Sequence, residues 1–142
     1  ENGTNADGTQ GVASNGNSAY DMAEVAAIEP YYKSMLGYAD YFLSMEVETL
    51  MPAPTLHFEL YTKSQYDSYT HEDILESILE YAYTSSPDWA LCTYDREYVL
   101  CGVAEDENGY VGEMYISEPI SFSREQVGDA QEFVELYKEW TN

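Results

Sequence analysis

The composition of the chain changes abruptly at Tyr20, and this change limits what the N-terminal segment can contribute to a fold. Residues 1–19 contain no aromatic side chain and one large aliphatic one, Val12, whereas tyrosine and acidic residues are dense from Tyr20 onward. A segment rich in Gly, Asn, Ser and Thr buries too little apolar surface to offset the entropy lost on ordering. The sequence therefore predicts a flexible tether over 1–19 and a single folded domain over 20–142, a length that suits one hydrophobic core.

The chain also carries a large negative charge. It has 27 acidic residues against five basic ones, which gives a formal net charge of −22 at pH 7. Such a charge repels nucleic-acid phosphates and anionic lipid headgroups, so nucleic acid is not an expected partner. The apolar runs are short and interrupted, so we expect no membrane insertion of this segment.

Helical spacing and strict alternation together predict eight elements. Residues 21–24 fit a capping box that opens a helix over about 21–44, in which Pro30 either kinks the helix or begins a second one. Further capping signals begin helices at Thr70 and Ser123. Alternating segments predict five strands, at about 47–51, 56–61, 88–94, 97–104 and 110–117.

These elements predict an α+β fold in the order α-β-β-α-β-β-β-α. Three helices would pack on one mostly antiparallel sheet of four to five strands, because helices can cover one face of such a sheet. This order of elements resembles that of profilin-like and PAS-like sensor domains. The resemblance implies a ligand pocket between the sheet and the helices.

The Asn108-Gly109 dipeptide sets the expected register of the last hairpin. A type I′ turn needs a positive φ at both central residues, which Asn and Gly tolerate. A turn centred there places Cys101 opposite Ile116 and Val103 opposite Met114, and these apolar pairs share one face. We therefore expect these four side chains to lie on the core face of the sheet.

The two cysteines, Cys92 and Cys101, lie on strands that we expect to be joined by a tight turn. If Arg96-Glu97 occupies the centre of this turn, Cys92 lies directly opposite Cys101, and a disulfide is within reach. If Asp95-Arg96 occupies the centre, Cys92 becomes a diagonal neighbour on the same face. In both registers the cysteines are on the core side, so the sequence predicts burial, either as a disulfide or as two free thiols.

Tyrosine is unusually frequent, with 15 residues against four Phe and two Trp. Four tyrosines crowd the first predicted helix, where Tyr32 belongs to the apolar stripe and Tyr31, Tyr38 and Tyr41 spread around it. Tyrosine is common at interfaces because it combines an apolar ring with a polar hydroxyl. We therefore interpret Tyr31, Tyr38 and Tyr41 as a candidate interaction surface. The alternative is that tyrosine fills half-buried positions in an acidic domain.

The sequence contains no recognisable catalytic or cofactor motif. Serine-nucleophile elbows and glycine-rich phosphate loops are absent. His57, expected on the solvent face of a strand, and His71, expected in the first turn of a helix, do not form an HExxH zinc motif. The acidic segment 105–109 lacks the ligand spacing of an EF-hand. We therefore expect no catalytic residue, no cofactor and no metal site, and a protein that is not an enzyme.

These features favour a non-catalytic binding or interaction domain that is exported and tethered to a surface, with a protein or a carbohydrate as its partner. A flexible segment followed by an acidic domain resembles the mature regions of bacterial secreted lipoproteins. From this layout we expect localisation at the cell surface or outside the cell. The sequence contains no signal segment, which for an exported protein means that the segment has been removed or is not part of this chain. The alternatives are a small-ligand sensor domain, an acidic inhibitor that mimics nucleic acid, and an enzyme whose site has no known motif.

Overall fold

The computed structural model describes residues 12–49, 55–80 and 88–140. The fold is α+β with antiparallel sheets, as the sequence predicts, but the strands form two three-stranded sheets instead of one larger sheet. The chain divides into two compact units. The described part of the first unit covers 12–16, 46–49, 55–80 and 97–120, and that of the second covers 17–45, 88–96 and 121–140. That residues 20–142 form a single domain stays a prediction.

Six strands and four α-helices make up the described chain. The strands are β1 (Val12–Asp21), β2 (Tyr41–Thr49), β3 (Thr55–Thr62), β4 (Asp88–Cys92), β5 (Tyr98–Glu105) and β6 (Tyr115–Ile116). The α-helices are α1 (Met22–Ile28), α2 (Lys63–Ser68), α3 (His71–Glu80) and α4 (Ala130–Leu136), and short 3-10 turns cover Pro30–Met35, Arg124–Gln126 and Lys138–Trp140. One sheet has the order β1-β2-β4 and the other has the order β3-β5-β6.

The segment 12–19 lies in strand β1, where the sequence predicts part of a flexible tether. Strand β1 pairs with β2, and both Val12 and Ala19 are buried. The backbone of a segment rich in Asn, Gly and Ser has the same donors and acceptors as any other, so a partner strand can recruit it in spite of its low strand propensity. The structure therefore corrects the predicted tether over 12–19. Residues 1–11 lie outside the described residues.

The first predicted helix is much shorter than expected. Helix α1 ends at Ile28, and Pro30 opens a separate 3-10 turn, which is one of the two alternatives predicted at this position. Proline disfavours a helical conformation in the residue before it, and Glu29 is extended, with φ −123°. The prediction of a helix continuing to residue 44 was wrong, because the chain turns at Gly37, with φ +95°, and enters β2 at Tyr41.

Aromatic rings form the core of the second unit, and Phe133 of α4 is at their centre. Its ring stacks on Phe42 of β2 with a centroid distance of 4.6 Å and lies 4.7 Å from Tyr137. The rings of Tyr20, Tyr32 and Trp89 also contact it. Helix α4 begins at Ala130, later than predicted, because the capping box at Ser123 opens only a short 3-10 turn.

Strand β5 is the central strand of the first unit and is buried from Tyr98 to Ala104. Cys101 and Val103 belong to the core cluster of this unit, and Met114 and Ile116 pack against that cluster as half-buried side chains. The predicted core face is confirmed.

The hairpin turn differs from the predicted type, although its register agrees with the prediction. Gly109 has a positive φ of +85° and its amide donates to the Asp106 carbonyl at 3.0 Å, whereas Asn108 has no positive φ. The centre of this turn lies one residue earlier in the chain than the centre of the predicted type I′ turn, and Glu105 pairs with Val111. Beyond this pair the second strand contains one residue more than the first strand, which restores the predicted offset between the two strands. Cys101 therefore lies opposite Ile116, as predicted.

No helix within the described ranges combines the length and the apolar character needed to cross a lipid bilayer.

Replacing Phe133 with Ala should lower the free energy of unfolding by about 3–5 kcal/mol, because the lost ring leaves a cavity among its aromatic neighbours. Urea denaturation followed by circular dichroism would measure this loss. Leu136→Ala on the same helix is the control, since Leu136 is 43% exposed and should change the free energy by only about 0.5 kcal/mol. Equal losses in the two variants would contradict the assigned core.

Candidate functional site

The three tyrosines proposed as an interaction surface do not share one environment. Tyr38 is 80% exposed, and Tyr31 is about half exposed and packs edge-on against Tyr32 with ring centroids 5.0 Å apart. Tyr41 is fully buried and stacks on Tyr94. The prediction was wrong for Tyr41 because the chain is a strand there, so its side chain points into the core. A surface formed by Tyr31 and Tyr38 stays a prediction.

Cys92 and Cys101 are both buried, and no disulfide joins them. The predicted hairpin between their strands does not form, because β4 pairs with β2 whereas β5 pairs with β3 and β6. Cys92 lies opposite Tyr41, and Cys101 lies opposite Glu59 on one side and Ile116 on the other. Of the two alternatives, burial as two separate thiols agrees with the structure and the disulfide does not.

His57 is buried, contrary to its predicted place on a solvent face. Its Nε2 atom lies 2.8 Å from the Glu105 carboxylate, and within the described chain its Nδ1 atom has no hydrogen-bond partner. Both faces of β3 are packed, since Phe58 and Tyr61 on opposite faces are buried too. The pair with Glu105 therefore serves to satisfy a buried imidazole.

A cleft in the first unit is the best-formed candidate site. Its cavity volume is about 450 Å³, within the range that small-ligand pockets occupy. The wall is built from β3, α2, α3 and Tyr69, which directly follows α2. The described residues that line it are Glu59, Leu60, Tyr61, Gln65, Tyr69, Asp73 and Ser77.

Two successive capping boxes position the helical side of this cleft. Thr62 accepts a hydrogen bond from the Gln65 amide at 3.1 Å, and the Gln65 side chain accepts one from the Thr62 amide at 3.0 Å. Thr70 and Asp73 make the same reciprocal pair, with distances of 3.1 and 3.3 Å. Each box satisfies helix N-terminal donors that would otherwise lack partners. Gln65 and Asp73 are thereby placed in the wall of the cleft.

Glu59 is the central polar group of the cleft. Its Oε1 atom accepts hydrogen bonds from the Tyr61 hydroxyl at 2.7 Å and from the Ser77 hydroxyl at 2.8 Å. The ion pairs found in the described chain are His57–Glu105 and three others, and none of them includes Glu59 or Asp73. Both cleft carboxylates therefore lack a basic partner within the described residues.

The charge of Glu59 affects the groups around it. Burial raises the pKa of Tyr61 above its ordinary value, and the carboxylate of Glu59, which accepts the Tyr61 proton, raises it further. Burial, followed by the same carboxylate, raises the pKa of the Cys101 thiol to about 12. At neutral pH the Tyr61 hydroxyl keeps its proton and donates a hydrogen bond to Glu59. The hydroxyl then offers a ligand only its lone pairs.

Aromatic surface completes the wall. The rings of Tyr61 and Tyr69 meet edge-to-face, with centroids 6.0 Å apart and planes at 78°. Tyr61 is buried whereas Tyr69 is 45% exposed. The cleft therefore combines an apolar wall with two carboxylates, an arrangement that can hold a cation by charge and by its aromatic faces.

Sequence reasoning did not single out these residues. The Thr62-to-Gln65 spacing is a capping-box signal and would have identified α2. The position of Asp73 one turn before Ser77 on α3 is also readable from the sequence. The packing of this face of α3 against Glu59 depends on the tertiary structure and cannot be predicted from a local sequence pattern.

The chain matches no protein family, no curated protein and no solved structure. In the described part of the chain, no group of three or more His, Cys, Asp or Glu side chains is arranged to hold a metal ion.

Stability should fall at alkaline pH, and Tyr61 should contribute to the fall. In the unfolded chain tyrosine loses its proton near about pH 10, whereas the folded state retains the Tyr61 proton to higher pH. The unfolded state then binds fewer protons, so the free energy of unfolding decreases with pH above about pH 10, by about 1.4 kcal/mol per pH unit for each such proton. Below about pH 10 Tyr61 is protonated in both states, so its full contribution to the free energy of unfolding is present.

Urea denaturation of the native protein and of Tyr61→Phe at about pH 8, 10 and 11 would test this expectation. The variant lacks the titrating hydroxyl, so its free energy of unfolding should decrease less steeply than that of the native protein. Equal slopes would contradict a raised pKa for Tyr61.

Proposed function

We propose that this chain is a non-catalytic binding domain whose cleft in the first unit takes a small ligand with a positively charged amine. The observation that carries the proposal is the pair of carboxylates, Glu59 and Asp73, in a cleft of about 450 Å³ that no lysine or arginine lines among the described residues. This is the small-ligand alternative of the sequence analysis. Export and tethering to a surface stay part of the proposal, supported by the composition of residues 1–11.

The hydrogen-bonding groups of the cleft favour a ligand rich in donors. The hydroxyls of Tyr61 and Ser77 already donate hydrogen bonds to Glu59, so they can offer a ligand only their lone pairs. The carboxylates accept and do not donate when ionised. An ammonium group has three donors and no acceptor, so it complements this lining. The net charge of −22 adds a long-range attraction for cations.

The tyrosine rings support the same choice of ligand. A cation within about 6 Å of a ring centroid is attracted by the ring quadrupole, by about 0.5–2 kcal/mol. Tyr61 and Tyr69 present such rings beside the carboxylates. A neutral sugar would contact the rings but would leave the charges of Glu59 and Asp73 partly desolvated without compensation, which costs free energy. We therefore favour an amine over the carbohydrate partner expected from composition.

Isothermal titration calorimetry with 1-aminobutane, and with 1-butanol as its uncharged counterpart, tests the proposal. The amine should bind with one site per chain, whereas the alcohol should not bind measurably. Glu59→Gln should weaken amine binding by at least about tenfold, because a hydrogen bond to a charged group contributes about 1.5–3 kcal/mol.

The matched control is Glu76→Gln. Glu76 is exposed on the same helix as Asp73 and does not line the cleft, so the variant removes one charge without changing the site. Its amine affinity should stay within about twofold of the native value at about 0.15 M salt, where distant exposed charges are screened. Equal weakening by Glu59→Gln and Glu76→Gln would refute the cleft as the site and would indicate general attraction to an acidic surface.

A further inference from the structure

We infer that the cleft binds an extended peptide segment as an additional strand along the outer edge of β3, with a lysine side chain of that segment beside Glu59. This inference rests on the proposed function, because it names the molecule that carries the amine. It depends on the direction of the Leu60 backbone groups, on the side chains that flank them and on the charge of the cleft.

The backbone amide and carbonyl of Leu60 point away from the sheet. Leu60 lies opposite Leu100 in the ladder between β3 and β5. The Leu100 amide donates to the hydroxyl of Ser117, directly after β6, and the Leu100 carbonyl accepts from the Ser117 amide, each at 2.9 Å. Because Leu100 directs both groups toward β6, Leu60 and Leu100 form a pair without mutual hydrogen bonds. In such a pair both residues direct their backbone groups away from each other, so those of Leu60 point outward.

These outward groups of Leu60 face the cleft. Strand β3 is terminal in its sheet, so no strand of the described chain lies beside this edge. Two residues further along the edge, the Gln65 side chain accepts the Thr62 amide at 3.0 Å and takes the place of a strand there. The Leu60 side chain alternates to the face opposite that of Glu59 and Tyr61, so Leu60 lines the cleft with its backbone. An unpaired edge of this kind is a template for a further strand.

The position of Glu59 next to Leu60 specifies a basic residue in the added strand. An antiparallel peptide would exchange two hydrogen bonds with Leu60 through the residue directly opposite it. The next peptide residue then lies opposite Glu59, with Cβ atoms about 4.5–5.5 Å apart and with its side chain on the same face. The cleft presents the rings of Tyr61 and Tyr69 beside this carboxylate. A lysine fits this position, because its ammonium group meets the carboxylate while its methylene stem covers aromatic surface.

The charge of the protein favours a basic peptide over a second copy of this chain. Two molecules that each carry a net charge of −22 repel one another. Glu59 forms no ion pair with any residue that the structure describes, so its charge is available to a basic partner. A charged side chain on an edge strand also opposes pairing with an identical edge. The expected occupant is therefore a short basic segment in an extended conformation.

Calorimetric titration with the peptide acetyl-Thr-Val-Lys-Val-Thr-amide, compared with 1-aminobutane, tests the inference. The peptide should bind at least about tenfold more tightly than the amine, because main-chain hydrogen bonds add to the charge contact. Methylation of the backbone nitrogen of the first valine removes the donor that faces Leu60 and should weaken binding at least about tenfold. The matched control is methylation of the lysine backbone nitrogen, which faces away from β3 and should change the affinity by no more than about twofold.

Hydrogen exchange of single backbone amides, followed by NMR, locates the contact. The unmethylated peptide should slow exchange of the Leu60 amide, since this amide gains an acceptor. The Thr62 amide is the internal control, because Gln65 already accepts it and its exchange rate should change much less. An unchanged Leu60 rate at saturating peptide would overturn strand addition.

The remaining outcomes separate the inference from the function on which it rests. Equal weakening by the two methylations, or a peptide that binds no more tightly than 1-aminobutane, would overturn strand addition and leave an amine site in place. Binding of neither the peptide nor 1-aminobutane would overturn both proposals. A dimer in sedimentation velocity whose Leu60 amide is protected without peptide would overturn the inference by making a second copy the occupant.

Discussion

The ladder between β3 and β5 is the interaction on which the first unit depends. It pairs eight residues on each strand, from Thr55 opposite Glu105 to Thr62 opposite Tyr98, and β5 is buried along nearly its whole length. A strand buried on both faces needs packing partners on both. On one face Cys101 and Val103 pack under α3, and on the other a side chain at Gly102 would come within 3.3 Å of Phe58, so backbones approach closely there. The same ladder places Glu59 beside Cys101 and below α3, and this position creates the cleft.

A half-buried carboxylate without a counter-ion needs other support. Glu59 obtains it from two hydroxyl donors, which stabilise the charge but do not neutralise it. Burial raises the pKa of Tyr61 and that of the Cys101 thiol, and the nearby Glu59 carboxylate raises both further. A site that keeps a charge in this way has binding energy available for a ligand of opposite sign. Asp73 has the additional role of capping α3, so one acidic residue serves both the helix and the cleft.

The abundant tyrosines are used in several physically different ways. Tyr137 is buried in the ring cluster of the second unit, where its hydroxyl donates to the carbonyl of Asp88. The Tyr94 hydroxyl donates a hydrogen bond to the buried carboxylate of Asp21. The Arg124 guanidinium lies over the Tyr94 ring, 5.0 Å from the ring centroid. Tyr61 supports Glu59, whereas Tyr38 is almost fully exposed. The hydroxyl explains this range, because it lets an aromatic ring enter a core that also contains acidic groups. Frequency alone therefore does not identify an interaction surface.

The sequence by itself determined the fold class, the start of α3 at Thr70 and the break at Pro30, because caps and proline geometry act over a few residues. The pairing of Cys101 with Ile116 agrees with the prediction only because an additional residue on the second strand offsets the earlier turn. The sequence did not determine which strands become neighbours. Residues 12–19 joined a sheet, Tyr41 entered a core, and β4 and β5 did not form the expected hairpin, because each outcome depends on partners distant in the chain. The cleft likewise depends on residues that are distant in the chain. Its capping boxes are local, but only the packing of α3 on β3 brings Ser77 to Glu59 and leaves two carboxylates facing one cavity.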